Sequence, residues 1–318
     1  MEARFELALC AALESLDRVV ARQLGSGVTV PGNRIVDVCV LAPGPAFDDR
    51  AAITPERIPD PAIDASVGPG KAVPVNEAFD RPVDRARDIV DAAVEAGYLE
   101  RERHDGRSTV RATARYPDEW IGSLTAIENK PDLGEPGDLE AQLRYDVALG
   151  LFDEVVLATG SYVTRAHLNR IPDAVGVWRF DPTSSDREVV REPTRLDPAM
   201  AGVEIREERA SRTDVAVVSP AAKARKRRRI AERAYGKGWR PAPPGCAHAS
   251  TTVDGRPYCG EFDRVVVPGR ECGTGCPAYD PADPPTDDRD RLRDEHSAWV
   301  AEPERGGPRR QSGLSRFS

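Results

Sequence analysis

The stretch IENKPDLGEPGDLEAQLRYDVALGLFDEVVLATGS, Ile127 to Ser161, decides the fold of this chain. Apolar residues run up to the charged triplet Glu128-Asn129-Lys130, and Pro131 biases Lys130 to extended geometry, which predicts a strand over 124–130. Leu139, Leu143, Val147 and Gly150 recur at helical spacing and predict a helix over 137–150. Glu154 to Thr159 (EVVLAT) is a short apolar run of the kind buried in a mostly parallel sheet. Strand, helix, strand predicts an α/β fold. Side chains alternate along a strand, so Glu128 and Lys130 are expected on one face and Asn129 on the other. Alone, E-x-K reads as a surface salt bridge at a strand end; the surrounding signals give it its meaning.

Toward the N-terminus, residues 4–24 read as one amphipathic helix ended by Gly25, with Leu9, Leu13, Leu16 and Val20 as its stripe. Glu6 falls on that stripe, while Glu14 falls on the outer face with Arg18. An acid on a core-facing stripe either meets a partner or serves the helix dipole in the first turn. Residues 34–41 (RIVDVCVL) are a strand around a single acid, Asp37. An Asp in a β-branched run is costly to bury unpaired, which points to a metal, a partner or a backbone amide. Cys10 and Cys39 fall at core positions. Residues 47–80 are rich in Pro and Gly and predict a long ordered loop. Helical period returns over 82–96 with Gly97 as the stop, and 98–103 with 108–116 form a hairpin around His104 to Arg107. A helix followed by a basic hairpin resembles the last helix and wing of a winged-helix module, here an insert at about 47–118.

Toward the C-terminus, a short helix (164–171), a strand (175–180) and a pairing segment (188–191) precede a charged, irregular stretch over 192–218 that closes on VAVV. Ser219-Pro220 opens a helix carrying Lys223, Arg225, Lys226, Arg227, Arg228 and Arg229. Residues 221–240 hold nine Lys or Arg against one Glu, +8, in a chain of net charge −8. That contrast points to phosphate, with a helix paired to the protein's own acids as the alternative. Cys246, Cys259, Cys272 and Cys276 follow, the last two as C-x-x-x-C in a Gly-rich turn, a spacing that lets two thiolates reach one metal. Asp254-Gly255 suits a hairpin turn between the first two. Zinc is the first expectation, an iron–sulfur cluster the alternative, and His248 a substitute ligand. Residues 281–318 are polar and Pro-rich and predict a disordered tail.

The chain has 318 residues, enough for one large domain or two smaller ones. Five Lys against 40 Arg, with many Asp, is a salt-adapted pattern. No apolar stretch is long enough to span a bilayer and MEARFELALC lacks a basic leader with a long apolar core, so a cytosolic chain is expected. Six cysteines are then core residues and metal ligands in preference to disulfides.

A helix with an inward Glu6, a strand with Asp37, a strand with Glu128-x-Lys130, a helix with Gln142 and an apolar strand together resemble the PD-(D/E)xK nuclease superfamily. More closely, the wording of residues 1–180 is similar to a family of uncharacterised haloarchaeal proteins with this pattern. The resemblance covers a little over half of the chain. It implies a restriction-endonuclease-like mixed sheet flanked by helices over 1–190; the linker and basic helix (191–240) and the four-cysteine metal module (241–280), read from their own residues, follow it. It also implies Asp37 and Glu128 as ligands of Mg2+ or Mn2+, Lys130 as the catalytic base and Glu6 as an accessory ligand. Gln142 and Tyr145 stand near the Q-x-x-x-Y element of RecB-like members, but the Tyr is one residue early and Asp146 takes its face. The 90 residues between Asp37 and Glu128 are more than the pattern usually has, and Pro117-Asp118 offers a rival first acid; Asp37 is preferred because it lies inside a strand. The implied activity is metal-dependent hydrolysis of phosphodiester bonds in DNA, and the alternative is a non-catalytic DNA-binding regulator on the same scaffold.

Overall fold

Helix α1 (Glu2–Leu13) buries Phe5, Leu7, Leu9 and Leu13. The chain then turns, Arg18 N donating to Ser15 O at 2.9 Å, and enters strand β1 (Val19–Gly25). The helix predicted over 4–24 is therefore a helix and a strand. Val19-Val20 are β-branched and fill the sheet, Leu16 is left 72 % exposed, and Glu14 turns inward to take Trp239 Nε1 at 3.0 Å. β1 pairs antiparallel with β2 (Ile35–Pro43). The computed structural model describes all residues except Met1, Pro31, Asp105, Tyr116, Asp118, Glu135, Pro136, Ala210, Asp287 and residues 304–318. Residues 1–42 and 123–299 form one compact unit, and residues 43–122 belong to a second.

In the second unit, α2 (Phe47–Ala51), α3 (Asp60–Asp64), β3 (Val73–Pro74) and α4 (Val75–Ala78) stand where the Pro-rich composition predicts only loop. Helix α5 (Val83–Glu95) buries Ala86, Val90 and Ala93, and Gly97 follows it at φ +74. β4 (Leu99–His104) and β5 (Arg107–Ala112) make the predicted hairpin, with Val110 and Ala112 inward. With β3 they form a three-stranded sheet in the order β3-β5-β4.

In the first unit, β6 (Ile121–Asn129), α6 (Leu139–Leu149) and β7 (Glu154–Thr159) are the strand, helix and strand read from the sequence. β6 and β7 run parallel, which requires a crossover such as α6. Gly150, at φ +55, ends α6 in the left-handed region and donates from its N–H to Asp146 O. After α7 (Arg165–Leu168), β8 (Gly176–Phe180) pairs parallel to β7, and β9 (Arg187–Arg191) antiparallel to β8. The sheet order is β1-β2-β6-β7-β8-β9, a mixed sheet. Alternation along β7 sends Val156 and Ala158 into the core under α1, and Val155 and Leu157 into the core under α6. Helix α1 thus lies on one face and α6 on the other.

The remainder of this unit departs from expectation twice. Where 192–218 reads as irregular, β10 (Gly202–Arg209) and β11 (Arg212–Val218) form a hairpin. Helix α8 (Pro220–Lys237) follows, capped by Ser219 Oγ on Ala222 N as its sequence predicts. β12 (Ala249–Thr251), β13 (Pro257–Cys259) and β14 (Arg264–Val265) make a small sheet, followed by α9 (Pro268–Glu271). The second departure is α10 (Arg289–His296), which lies in the span predicted as disordered. Trp299 is 5 % exposed with the Arg293 guanidinium 4.5 Å over its ring, so one aromatic anchors a polar segment; residues 304–318 lie outside the described residues. Among the described residues no helix is long and apolar enough to cross a membrane.

Candidate active site and cysteine cluster

The site is assembled at one end of the mixed sheet. β2 and β6 are neighbours, and Asn129 N at the end of β6 donates to Asp37 Oδ2 at 3.0 Å. Lys130 N donates to Ala158 O at 2.9 Å, extending the ladder by one residue and holding Lys130 beside Glu128. Helix α1 supplies Glu6, whose carboxylate accepts from Gln23 Nε2 (2.8 Å), from Asn129 Nδ2 (3.2 Å) and from Arg22. Gln23 Nε2 also lies 3.3 Å from Asp37 Oδ1, and Gln23 sits at φ +55, unusual for a side-chain-bearing residue. Helix α6 supplies Gln142. Glu6, Asp37, Glu128, Lys130 and Gln142 all line one cleft of about 260 Å³. Alternation holds along β6, Asn129 lying toward Glu6 and α1 and Glu128 toward α6, yet at the strand end both border the cleft. The rival acid Asp118 lies outside the described residues.

Arg34, at the mouth of β2, governs the charge balance. Its Nη2 donates to Glu128 Oε2 at 2.6 Å and to Asp146 Oδ2 at 2.7 Å, and all three side chains are under 10 % exposed. Burial pushes the Glu128 carboxyl up to about 7, Arg34 opposing and Asp37 adding to the rise. Burial likewise raises Glu6, Asp37 and Asp146 above the usual carboxylate range. Burial works to lower the Arg34 pKa, and Asp146 with Glu128 more than reverses it. Tyr145, the RecB-like signal, is spent elsewhere: its hydroxyl donates to Glu204 Oε1 at 2.7 Å. Asp146 instead anchors Arg34.

Lys130 is half-buried, and among the described residues its ammonium meets no acceptor or carboxylate. The E-x-K is therefore not a salt bridge, since Glu128 pairs with Arg34. Asn129 Oδ1 is buried without a hydrogen-bond partner among the described residues, an acceptor left over at the cleft wall. Sequence reading missed Arg34, Gln23 and the Asn129 side chain. Arg34 carried one signal, a charge directly before an apolar strand that itself holds an acid.

The basic run of α8 is only partly open to a phosphate. Lys223 is 1 % exposed and donates to Met200 O at 3.0 Å. Arg227 donates to Leu151 O at 2.6 Å and Asp153 Oδ2 at 2.7 Å. Lys226, Arg228 and Arg229 are partly buried and also have partners within the fold, while Arg225 is exposed. Helix α8 buries Ile230, Ala231, Ala234 and Tyr235, so its cations dock the helix as well as colour its surface.

Cys246, Cys259, Cys272 and Cys276, with His248, line a second, small cavity of about 30 Å³, and none of the four is in a disulfide. Burial raises the Cys272 thiol, and the other three sulfurs raise it further. Cys10 and Cys39 are buried core thiols as expected. Among the described residues, no group of three or more His, Cys, Asp or Glu side chains is gathered closely enough to hold a metal ion, in the cleft or at the cysteines. No curated protein and no solved structure matches this chain. A family profile matches residues 19–281, which hold Asp37, Glu128 and Lys130 of the cleft and all four clustered cysteines but not Glu6, and the chain belongs to that family, one of unknown function (DUF5787).

Proposed function

We propose that the cleft is the active site of a metal-dependent nuclease that hydrolyses phosphodiester bonds in DNA, on a restriction-endonuclease-like core. The observation that carries this reading is the convergence of Glu6, Asp37, Glu128, Lys130 and Gln142, from two helices and two adjacent strands, on one cleft whose lysine has no partner among the described residues. The order α1-β1-β2-β6-α6-β7, with β6 and β7 parallel, supports the same core. Residues 43–122, with the β3-β5-β4 sheet behind α5, read on this view as a winged-helix-like insert.

The donor atoms are of the kind a hard cation prefers, three carboxylates and an Asn129 Oδ1 without a partner among the described residues, and the side chains would have to close on an ion to hold it. Asp37 and Glu128 would hold Mg2+ or Mn2+ with Glu6 accessory, once Glu128 releases part of its Arg34 contact. When bound, such an ion polarises the phosphoryl oxygen and acidifies water. Lys130 would orient the attacking water as an ammonium or, as the neutral amine, take its proton, and in the charged form would stabilise charge growing on the phosphate. Gln23 and Asn129 keep Glu6 and Asp37 aligned by the hydrogen bonds described. At the cysteines, four thiols line one cavity and would have to draw together to hold an ion; zinc is proposed there, with an iron–sulfur cluster as the alternative.

The Arg34–Glu128 pair favours a second reading, a DNA-binding regulator whose nuclease core is silent, because a cation already occupies the carboxylate. The two readings part in a nuclease assay of the whole protein with Mg2+ or Mn2+ at high salt, on single- and double-stranded DNA. Divalent-dependent cleavage is expected; binding without cleavage under either ion would leave the regulator.

A further inference from the structure

We propose that Arg270 is a substrate-phosphate ligand of the cleft, delivered to it by the cysteine segment through α9. The inference rests on the nuclease reading for the identity of the substrate. Arg270 lines the same cleft as Lys130 although it lies 140 positions further along the chain. Glu2, Glu6, Asp37, Glu128 and Asp138 also line it, so a polyanion entering the cleft meets five carboxylates. Of the three cations in the wall, Arg22 is spent on Glu6. Lys130 and Arg270 are the two that have no side-chain partner among the described residues. An arginine free to donate its planar fork matches a phosphate diester better than a lysine does.

The neighbouring residues fix where Arg270 stands. Glu271 accepts from Val267 N at 2.7 Å, lies 3.3 Å from Arg264 Nη2, and pairs with Arg4 of α1. Helix α1 also carries Glu6, so the Arg4–Glu271 pair registers α9 against the helix that supplies a cleft carboxylate. Cys272, directly after α9, belongs to the cysteine cluster. An exposed arginine on a solvated face needs neither anchor. This arrangement gives the cysteine cluster a function in the reaction: it is a strut that sets a cation over the acidic wall.

The test uses the full chain and a fluorescein-labelled DNA duplex of mixed sequence, with binding followed by anisotropy in EDTA over a salt series. Arg270→Gln is expected to fold normally, because Arg270 is exposed, and to weaken binding about tenfold. The slope of log affinity against log salt should fall in magnitude by about one. Arg270→Lys should restore the slope but not the whole affinity. Wild-type affinity and slope in Arg270→Gln would overturn the assignment, as would a wild-type protein that binds no DNA. Cleavage by the wild type is scored separately. If Arg270 controls the slope and nothing is cleaved, the phosphate ligand stands and the nuclease reading fails; if cleavage proceeds and Arg270→Gln matches the wild type, the reverse holds.

Discussion

Arg34 holds two buried carboxylates, and its removal would leave Glu128 and Asp146 together without a cation. Arg34→Met is expected to cost about 3–5 kcal/mol at pH 7, measured by urea denaturation, because an isolated buried charge is far worse than a paired one. The loss should shrink toward pH 5, where Glu128 holds its proton. The metal-free wild type has its own pH signature. The folded state keeps a proton on Glu128 up to about pH 7, whereas the unfolded chain releases it near 4.5. The folded state therefore binds more protons between those values, and the stability from this group, complete below 4.5, is lost as pH rises through about 7. Glu6, Asp37 and Asp146 shift in the same direction. Melting temperature without divalent ions should fall from pH 5 to pH 8, and Mg2+ should flatten the fall; a flat or rising profile without Mg2+ contradicts the charge balance described. Asp37 was legible in the sequence because a lone acid in a β-branched strand stands out. Arg34 was not, because its partner Asp146 lies 112 positions away and nothing local announces the pairing.

At the scale of elements, the strand–helix–strand at 121–159 and the Ser219 cap of α8 follow from local rules, and the structure has them, while Gly150, expected on the helical stripe, is the left-handed stop of α6. The split of 4–24 does not, since Leu9, Leu13, Leu16 and Val20 satisfy helical spacing whether or not the helix continues. Pairing of β1 with β2 decides it, and that contact is set by the whole sheet. Helix α8 teaches the opposite lesson about charge. Its arginines read as a phosphate-binding face, yet Arg227 satisfies Leu151 O and Asp153 in the seam beside β7. Arg227→Gln is expected to destabilise the protein by about 1–3 kcal/mol by removing the charged partner of Asp153 Oδ2 and the donor to Leu151 O, whereas exposed Arg225→Gln should stay within about 0.5 kcal/mol. Equal effects of the two in chemical denaturation would return the run to a solvated face.

The whole molecule joins two clusters that the sequence shows 120 residues or so apart, the acidic cleft and the cysteines, through α9. Their separate existence was legible; their proximity was not, because only the folded chain brings α9 to α1. Metal analysis of protein purified without air should find about one zinc per chain and no colour. Brown protein with labile sulfide would replace zinc by an iron–sulfur cluster, and neither would end the metal reading. The central claim, that Lys130 acts in catalysis from a cleft of acids, is tested most directly by single-turnover cleavage at saturating DNA with Mg2+, comparing the wild type with Lys130→Ala. Loss of about 100-fold or more in rate, with DNA affinity within about twofold of the wild type, is expected because the lysine serves the transition state. Cleavage by Lys130→Ala at the wild-type rate would contradict it.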